Sequence, residues 1–120
     1  MPHTFPHERL DAWHIAREAR KAAYQFTLSM PKGFARERRQ INDASASVVR
    51  NIGEGAQRYK PGDKIQAFET ASGEAGEAVS AVISCVDIGI GDEVLASEVE
   101  VLMGRVTAML TGLIKRQRKR

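Results

Sequence analysis

The chain has 120 residues, a length that fits a single domain with its own core. Its hydrophobic content of 42% and charged content of 28% are ordinary for a globular protein, and its single cysteine excludes an internal disulfide framework. No signal peptide and no apolar run of membrane length is visible, so we expect a soluble, cytoplasmic protein.

The formal net charge of +3 is unevenly distributed along the sequence. Residues 1–60 hold 11 Lys/Arg and 6 Asp/Glu, residues 61–114 hold 2 and 9, and residues 115–120 add five cations. A basic first half with a basic C-terminal tail favours contact with nucleic acid, or charge pairing between halves or between subunits.

Hydrophobic periodicity predicts four helices in chain order, at about residues 8–29, 36–57, 64–88 and 93–116. Apolar residues recur at three- and four-residue steps in the first two, from Ala12 to Phe26 and from Ile41 to Ala56. Pro31 ends the first helix, and its neighbour Gly33 allows the chain to reverse. Trp13 and Tyr24 widen the apolar stripe of the first helix.

The third and fourth helices carry wider apolar faces. The third has a stripe from Ile65 to Val86 beside a line of small residues, with Asp63 as its expected N-cap. The fourth follows Asp92, a second expected N-cap, and shows the spacing of a coiled-coil seam. That predicted seam comprises Leu95, Val99, Leu102, Val106, Met109 and Leu113. Val94 and Val101 fall outside it and suggest a second buried surface.

These helices and their short connections predict an all-α, up-down-up-down antiparallel four-helix bundle spanning residues 1–120 as one domain. The extra apolar surface of the third and fourth helices predicts a homo-oligomer. A basic first hairpin facing an acidic second hairpin would let subunits pair head to tail, an arrangement that closes rings.

Six glycines fall inside predicted helices, at positions 53, 55, 73, 76, 104 and 112. Each costs about 0.5–1 kcal/mol relative to alanine in a helix interior, so a compensating role is expected. Close approach of helices is the favoured explanation, above all at Gly73 and Gly76. Gly53 and Gly55 are instead candidates for marking the end of the second helix.

Two motifs resemble a known family. Leu10-Asp11-Ala12-Trp13 with Ala16 is similar to a family opening Leu-x-Val-Trp-x-x-Ala, and the segment 47–55, ending Asn51-Ile52-Gly53-Glu54-Gly55, is similar to its Ser-Ile-x-x-Asn-Ile-Ala-Glu-Gly. The chain thus resembles the family of proteins encoded in intervening sequences of bacterial 23S rRNA genes, also called the S23 ribosomal protein family. Departures are Gly53 for alanine, Glu74 for serine and Arg50 for a small polar residue.

The resemblance implies a four-helix bundle that assembles into a ring, typically a homopentamer, with a loose association with RNA. A related branch comprises accessory proteins of diversity-generating retroelements, basic pentameric barrels that bind reverse transcriptase and nucleic acid. Many members have no assigned activity, so the resemblance bears on the fold more than on the function.

A polar cluster between the second and third helices is predicted from Asn51, Glu54, Arg58 and Glu77. The structural interpretation, hydrogen bonding across a helix interface, is favoured over a catalytic carboxylate because no nucleophile or histidine accompanies it in motif spacing. His3, His7 and His14 lack metal-site spacing. Cys85 reads as a small buried hydrophobe, and neither a P-loop nor a dinucleotide fingerprint suggests a cofactor.

Basic residues are the remaining candidates, since Lys and Arg can neutralise phosphates. The candidate nucleic-acid contacts are Arg17, Arg20, Lys21, Arg36, Arg38, Arg39, Lys115, Arg116, Arg118, Lys119 and Arg120. Most of the seven aromatic residues are core candidates, so backbone-directed binding is expected rather than base stacking. The sequence favours a non-enzymatic, RNA-associated ring without a cofactor; the alternative is a structural or protein-interaction oligomer with no nucleic-acid role.

Overall fold

The computed structural model describes residues 5–119. A 3-10 turn, Pro6–Arg9, precedes four helices: α1 (Asp11–Ser29), α2 (Ala35–Gln57), α3 (Pro61–Asp87) and α4 (Glu93–Arg118). No strand occurs within this described range, which confirms the all-α prediction. None of the described helices is long and apolar enough to span a membrane.

Consecutive helices run in opposite directions, as contacts at their ends indicate. Asn42 Nδ2 near the start of α2 lies 3.3 Å from Thr27 Oγ1 near the end of α1. Arg118 at the end of α4 lies 3.2 Å from Glu69 near the start of α3. Both α1 and α3 pack along α2 and α4, so α1 and α3 sit on opposite corners of the bundle.

Two helix starts differ from the predicted ones. Leu10 is extended (φ −96°, ψ 119°) and separates the 3-10 turn from α1, which therefore begins at Asp11 rather than near residue 8. The start of α3 is Pro61, three residues before the predicted 64, because proline suits the first helical position, where its missing N–H needs no partner. Asp63 consequently lies inside the first turn, and its predicted capping role is wrong.

The start of α4 agrees with the sequence. The Asp92 carboxylate accepts hydrogen bonds from the backbone N–H groups of Val94 (2.8 Å) and Leu95 (3.0 Å), as predicted for an N-cap. Gly91 just before it has a φ of 88°, and a Cβ there would lie 2.4 Å from Phe26 Cζ, so only glycine fits. At its other end α4 continues to Arg118, two residues beyond the prediction.

All four helices contribute to one continuous core. The predicted seam of α4 is only partly right. Because α4 packs against both α1 and α3, the face that it buries is broader than the predicted seam and is centred on other residues. The buried residues of α4 are Ala96, Val99, Met103, Val106, Leu110 and Ile114. Leu95, Leu102, Met109 and Leu113 are half-buried flanks instead. In α3 the small-residue line from Ala67 to Cys85 is buried, together with Phe68 and Val82.

Close helix approach accounts for one helical glycine in particular. A Cβ at Gly55 would lie 2.6 Å from Phe68 Cε1, so α2 and α3 approach each other there more closely than a residue with a side chain would allow. For four of the other five helical glycines, close approach to another helix of the same chain is wrong, because a Cβ there would meet no atom within 4 Å. These open positions are Gly73, Gly76, Gly104 and Gly112.

Candidate nucleic-acid interface

A groove of about 650 Å³ runs along the outside of α1 where it meets α2. Its lining residues are Trp13, Arg17, Arg20, Lys21, Tyr24, Asn42 and Val49. The α1 members share one face because their spacings are close to multiples of the helical turn. Three are cations and two are aromatic, and none of these described lining residues is acidic.

Trp13 lies at one end of this groove, where contact with the core holds its side chain in place. It packs against the core and is half-buried, and its ring centroid lies 4.5 Å from that of His7. The guanidinium carbon of Arg17, one turn along α1, lies 4.9 Å from the Trp13 ring centroid, within cation–π range. Arg17 is therefore held over an aromatic surface.

The other two cations are more open. Arg20 and Lys21 are exposed, and Lys21 Nζ lies 3.4 Å from Glu18 Oε1. Both side chains of that pair are more than half exposed (66% and 58%), so solvent screens it and its contribution is small. Lys21 can therefore exchange Glu18 for a phosphate at little cost.

The prediction that most aromatic residues belong to the core is wrong. Phe26 and Phe68 are buried, whereas Tyr24 is 53% exposed and Tyr59 is 97% exposed. Tyr24 and Trp13 border the groove with the cations. The signal is present in the sequence: two aromatic residues, at 13 and 24, flank three basic residues, at 17, 20 and 21, on one side of a helix.

Arg38, one of the candidate nucleic-acid contacts, makes hydrogen bonds within the chain. Its Nε donates to the Thr27 carbonyl (3.3 Å) and its Nη2 to the Met30 carbonyl (3.1 Å), with further hydrogen bonds to the carbonyls of Pro31 and Gly33. This side chain closes the C-terminal end of α1 and the following turn. Arg36 and Arg39 are exposed.

The basic C-terminal residues belong largely to α4 itself. Lys115 and Arg116 are exposed on its last turns, where cations suit the helix dipole. Arg118 pairs with Glu69 at 3.2 Å, and Lys119 follows the helix. Arg120 lies outside the described residues, as does His3.

The four residues of the predicted polar cluster do not all meet. Asn51 Nδ2 donates to the backbone carbonyl (2.9 Å) and hydroxyl (3.0 Å) of Ser47, one turn earlier in α2. Glu54 and Arg58 pair at 3.9 Å on the same helix, both about half exposed. They share with Asn51 a polar groove of about 260 Å³ at the start of α3. Glu77 lies elsewhere, beside Glu74.

Glu74 is the carboxyl group with a perturbed environment in this region. A hydrogen bond with Glu77, partial burial and the charge of Glu77 together raise the pKa of Glu74. Ser47 and Arg50 act in the opposite direction. Two carboxyl groups close together disfavour ionisation of both, which accounts for the direction of this change in pKa.

The remaining candidates for chemistry are structural. Cys85 is buried, as predicted, and burial, followed by the charge of Glu37, raises the pKa of its thiol, so it is a poor nucleophile. The His7 ring packs at a tilt of 56° against Trp13, and His14 Nε2 lies 2.8 Å from the Glu8 carbonyl oxygen. The described part of the chain contains no group of three or more His, Cys, Asp or Glu able to hold a metal ion.

Comparison with known proteins agrees with the motif resemblance. The family model described as 23S rRNA-intervening sequence protein matches residues 8–112, which include α1, α2 and α3 and most of α4. This match confirms the resemblance stated from Trp13 and the Asn51–Gly55 segment. A search of curated proteins found no match.

Proposed function

We propose that this chain, which belongs to the family of 23S rRNA-intervening sequence proteins, is a non-enzymatic scaffold that associates with RNA. The observation that carries the proposal is the α1–α2 groove, where Arg17, Arg20 and Lys21 converge beside exposed aromatic surface. The family description, which names 23S rRNA, favours RNA over other polyanions as the partner.

The physical basis is phosphate neutralisation. Each cation that meets a phosphate releases condensed counterions, so the logarithm of the association constant falls linearly with the logarithm of salt concentration. A groove with three cations and no acidic lining residue presents a positive surface despite the modest net charge. Contacts of this kind set affinity and orientation rather than sequence preference.

The test is a titration of a fluorescently labelled RNA hairpin with unpaired flanks, repeated between about 50 and 200 mM salt. Binding is expected to weaken steeply across this range. The variant R17Q/R20Q/K21Q is expected to lower the magnitude of the salt slope by about two, since it removes up to three phosphate contacts. Salt-independent binding, or no binding at low salt, would favour the structural oligomer without a nucleic-acid role.

A charge-matched control separates the groove from net charge. The variant R9Q/K60Q/R105Q removes three exposed cations that do not line the groove, and so lowers the net charge equally. It is expected to bind the hairpin with nearly the wild-type salt slope. Equal losses in the two triple variants would show that overall charge, not the groove, governs affinity.

We also propose that copies of the chain assemble into a ring, with the outer faces of α3 and α4 as the contact surface. Val94 and Val101 on α4 are 76% and 61% exposed, and Ile88 after α3 is 70% exposed. Gly104 and Gly112 share this outer face of α4 with open space above them, which would admit the backbone of a neighbouring subunit. Exposed apolar surface beside small residues is typical of an interface.

Light scattering tests the assembly. The wild type is expected to form an oligomer, with five subunits implied by the family resemblance, and V101E is expected to reduce its mass. Leu28 on α1 is also 61% exposed, so L28E is a control matched in exposure and chemistry and should leave the mass unchanged. A wild-type mass equal to one chain would refute the ring.

The two proposals make a joint prediction. A ring would display one α1–α2 groove per subunit, and linked sites bind a long RNA more tightly than a single site does. V101E is therefore expected to weaken binding of a long RNA more than binding of a short one. If V101E weakened the binding of long and short RNA equally, RNA association would not depend on assembly and the joint prediction would be wrong.

A further inference from the structure

The α1–α2 groove has the composition of a site for an unpaired base as well as for phosphate. Trp13, Arg17 and Tyr24 follow one another along one side of α1, at steps of four and seven residues. We propose that this groove binds single-stranded RNA by stacking a base on Tyr24 and on the guanidinium of Arg17. The inference rests on the proposed RNA association and specifies its ligand.

The aromatic surface is available for stacking. The Tyr24 side chain is 53% exposed in the groove, although it follows the buried Ala23 and precedes the buried Phe26 by two positions. Arg17 lies 4.9 Å from the Trp13 ring centroid, so its planar guanidinium is supported from below by an aromatic ring. Bases of single-stranded RNA stack on both aromatic rings and guanidinium planes.

The other lining residues suit the rest of a nucleotide. Arg20 and Lys21 are exposed on the same side of α1 and can neutralise the phosphates that flank a stacked base. Val49 gives the α2 side an apolar contact, and Asn42 contributes an amide. A volume of about 650 Å³ falls within the range of small-ligand sites, about 300–1,000 Å³, and is ample for one nucleotide.

The charge pattern identifies the occupant. Three cations and no acidic lining residue favour a polyanion, and two aromatic residues favour a polyanion that carries flat, unstacked rings. Duplex RNA meets only the first condition, because its bases are stacked on one another within the helix. The groove is therefore expected to prefer unpaired RNA over a duplex of equal length.

Trp13 provides a direct reporter, since it is the only tryptophan in the chain. Titration with a short oligouridylate at low salt is expected to change its fluorescence, because the base lies against the Arg17 that covers it. A blunt RNA duplex of equal length is expected to bind more weakly and to leave the Trp13 signal nearly unchanged.

Substitutions at Tyr24 separate stacking from charge. Y24A is expected to weaken oligouridylate binding about tenfold, within the range for one lost aromatic–base stack, and to leave duplex binding unchanged. Y24F keeps the ring and is expected to bind like the wild type. Y59A removes a ring that is 97% exposed outside the groove and should have no effect on either ligand.

The outcomes distinguish this inference from the proposal beneath it. If neither oligouridylate nor duplex binds at low salt, both RNA association and base stacking are refuted. If both bind equally well and Y24A matches the wild type, RNA association stands and base stacking is refuted. Preference for the single strand that is lost in Y24A but kept in Y24F supports the inference. Circular dichroism of each variant verifies that the bundle is folded.

Discussion

Replacing Gly55 with alanine should destabilise the bundle, although alanine is the better helix former. A Cβ at this position would lie 2.6 Å from Phe68 Cε1 and 3.2 Å from the Ala67 Cβ. Carbon atoms in favourable contact are separated by about 3.5–4.0 Å, so the ring would have to move by about 1 Å. Phe68 is 2% exposed and packed in the core, which leaves it little room.

The expected net effect follows from two opposing terms. Overpacking a core costs about 1–3 kcal/mol, and the gain in helix propensity from glycine to alanine is at most about 1 kcal/mol. Because the 2.6 Å contact is with a buried ring, the overpacking cost lies in the upper part of this range, and the G55A variant is expected to lose about 1–2 kcal/mol in the free energy of unfolding. In a domain of this size that loss lowers the melting temperature by about 4–8 °C.

Gly53 supplies the matched control on the same helix. A Cβ there would lie 3.9 Å from Trp13 Nε1, an ordinary van der Waals contact. The G53A variant is expected to gain about 0.5–1 kcal/mol, so the same substitution two residues away has the opposite sign. Urea unfolding followed by circular dichroism at fixed protein concentration measures both. A G55A midpoint at or above the wild-type value would refute the packing argument.

Three further changes have expected effects on stability. D92A removes the N-cap hydrogen bonds of α4 and is expected to cost about 1 kcal/mol in the free energy of unfolding. S45A is expected to stabilise by about 1 kcal/mol, because the fully buried Ser45 hydroxyl has no hydrogen-bond partner among the described residues. E74Q is expected to raise the melting temperature at neutral pH. The raised pKa of Glu74 means that the folded chain holds this proton more tightly than the unfolded chain does. The stability that the protonated Glu74 contributes is therefore present at acidic pH and is lost as pH rises through the raised pKa.

Each of these changes has its own control and contrary result. D92N retains a capping oxygen and should stay close to the wild type, so an equal loss in D92N and D92A would exclude capping as the cause. S45T retains a hydroxyl at this position, and a gain in stability as large as that of S45A would contradict the desolvation argument. E74Q should also flatten the pH dependence of stability above the normal glutamate range, and an unchanged pH profile would contradict the role given to Glu74 and Glu77.

The fold was accessible from the sequence because helical periodicity and turn residues agree along most of it. Errors arose where two local signals competed. Asp63 has good capping chemistry, yet Pro61 fixes the backbone two residues earlier and begins α3. In α4 the regular 4-3-4 spacing selected Leu95 and Leu102, but contact with two neighbouring helices buries Met103 and Leu110 instead. The side of α4 that is buried depends on the positions of its neighbouring helices, which the hydrophobic pattern of α4 alone does not contain.

The candidate site was predictable in part. Charge alone identifies Arg17, Arg20 and Lys21, whereas helical periodicity predicts Tyr24 to lie in the core because it sits beside the apolar stripe. Periodicity indicates which face of a helix is the most apolar. It does not show whether a neighbouring helix covers the residues at the margin of that face. Arg38 illustrates a second limit: its hydrogen bonds to carbonyls of the preceding turn require the three-dimensional path of the loop.

Ultraviolet crosslinking of bound single-stranded RNA, followed by peptide mass spectrometry, tests the central claim most directly. If RNA lies in the α1–α2 groove, crosslinked peptides should come from α1 between Trp13 and Tyr24, and R17Q/R20Q/K21Q should lose them. Crosslinks confined to the C-terminal end of α4, with none in α1, would contradict the placement of RNA in this groove.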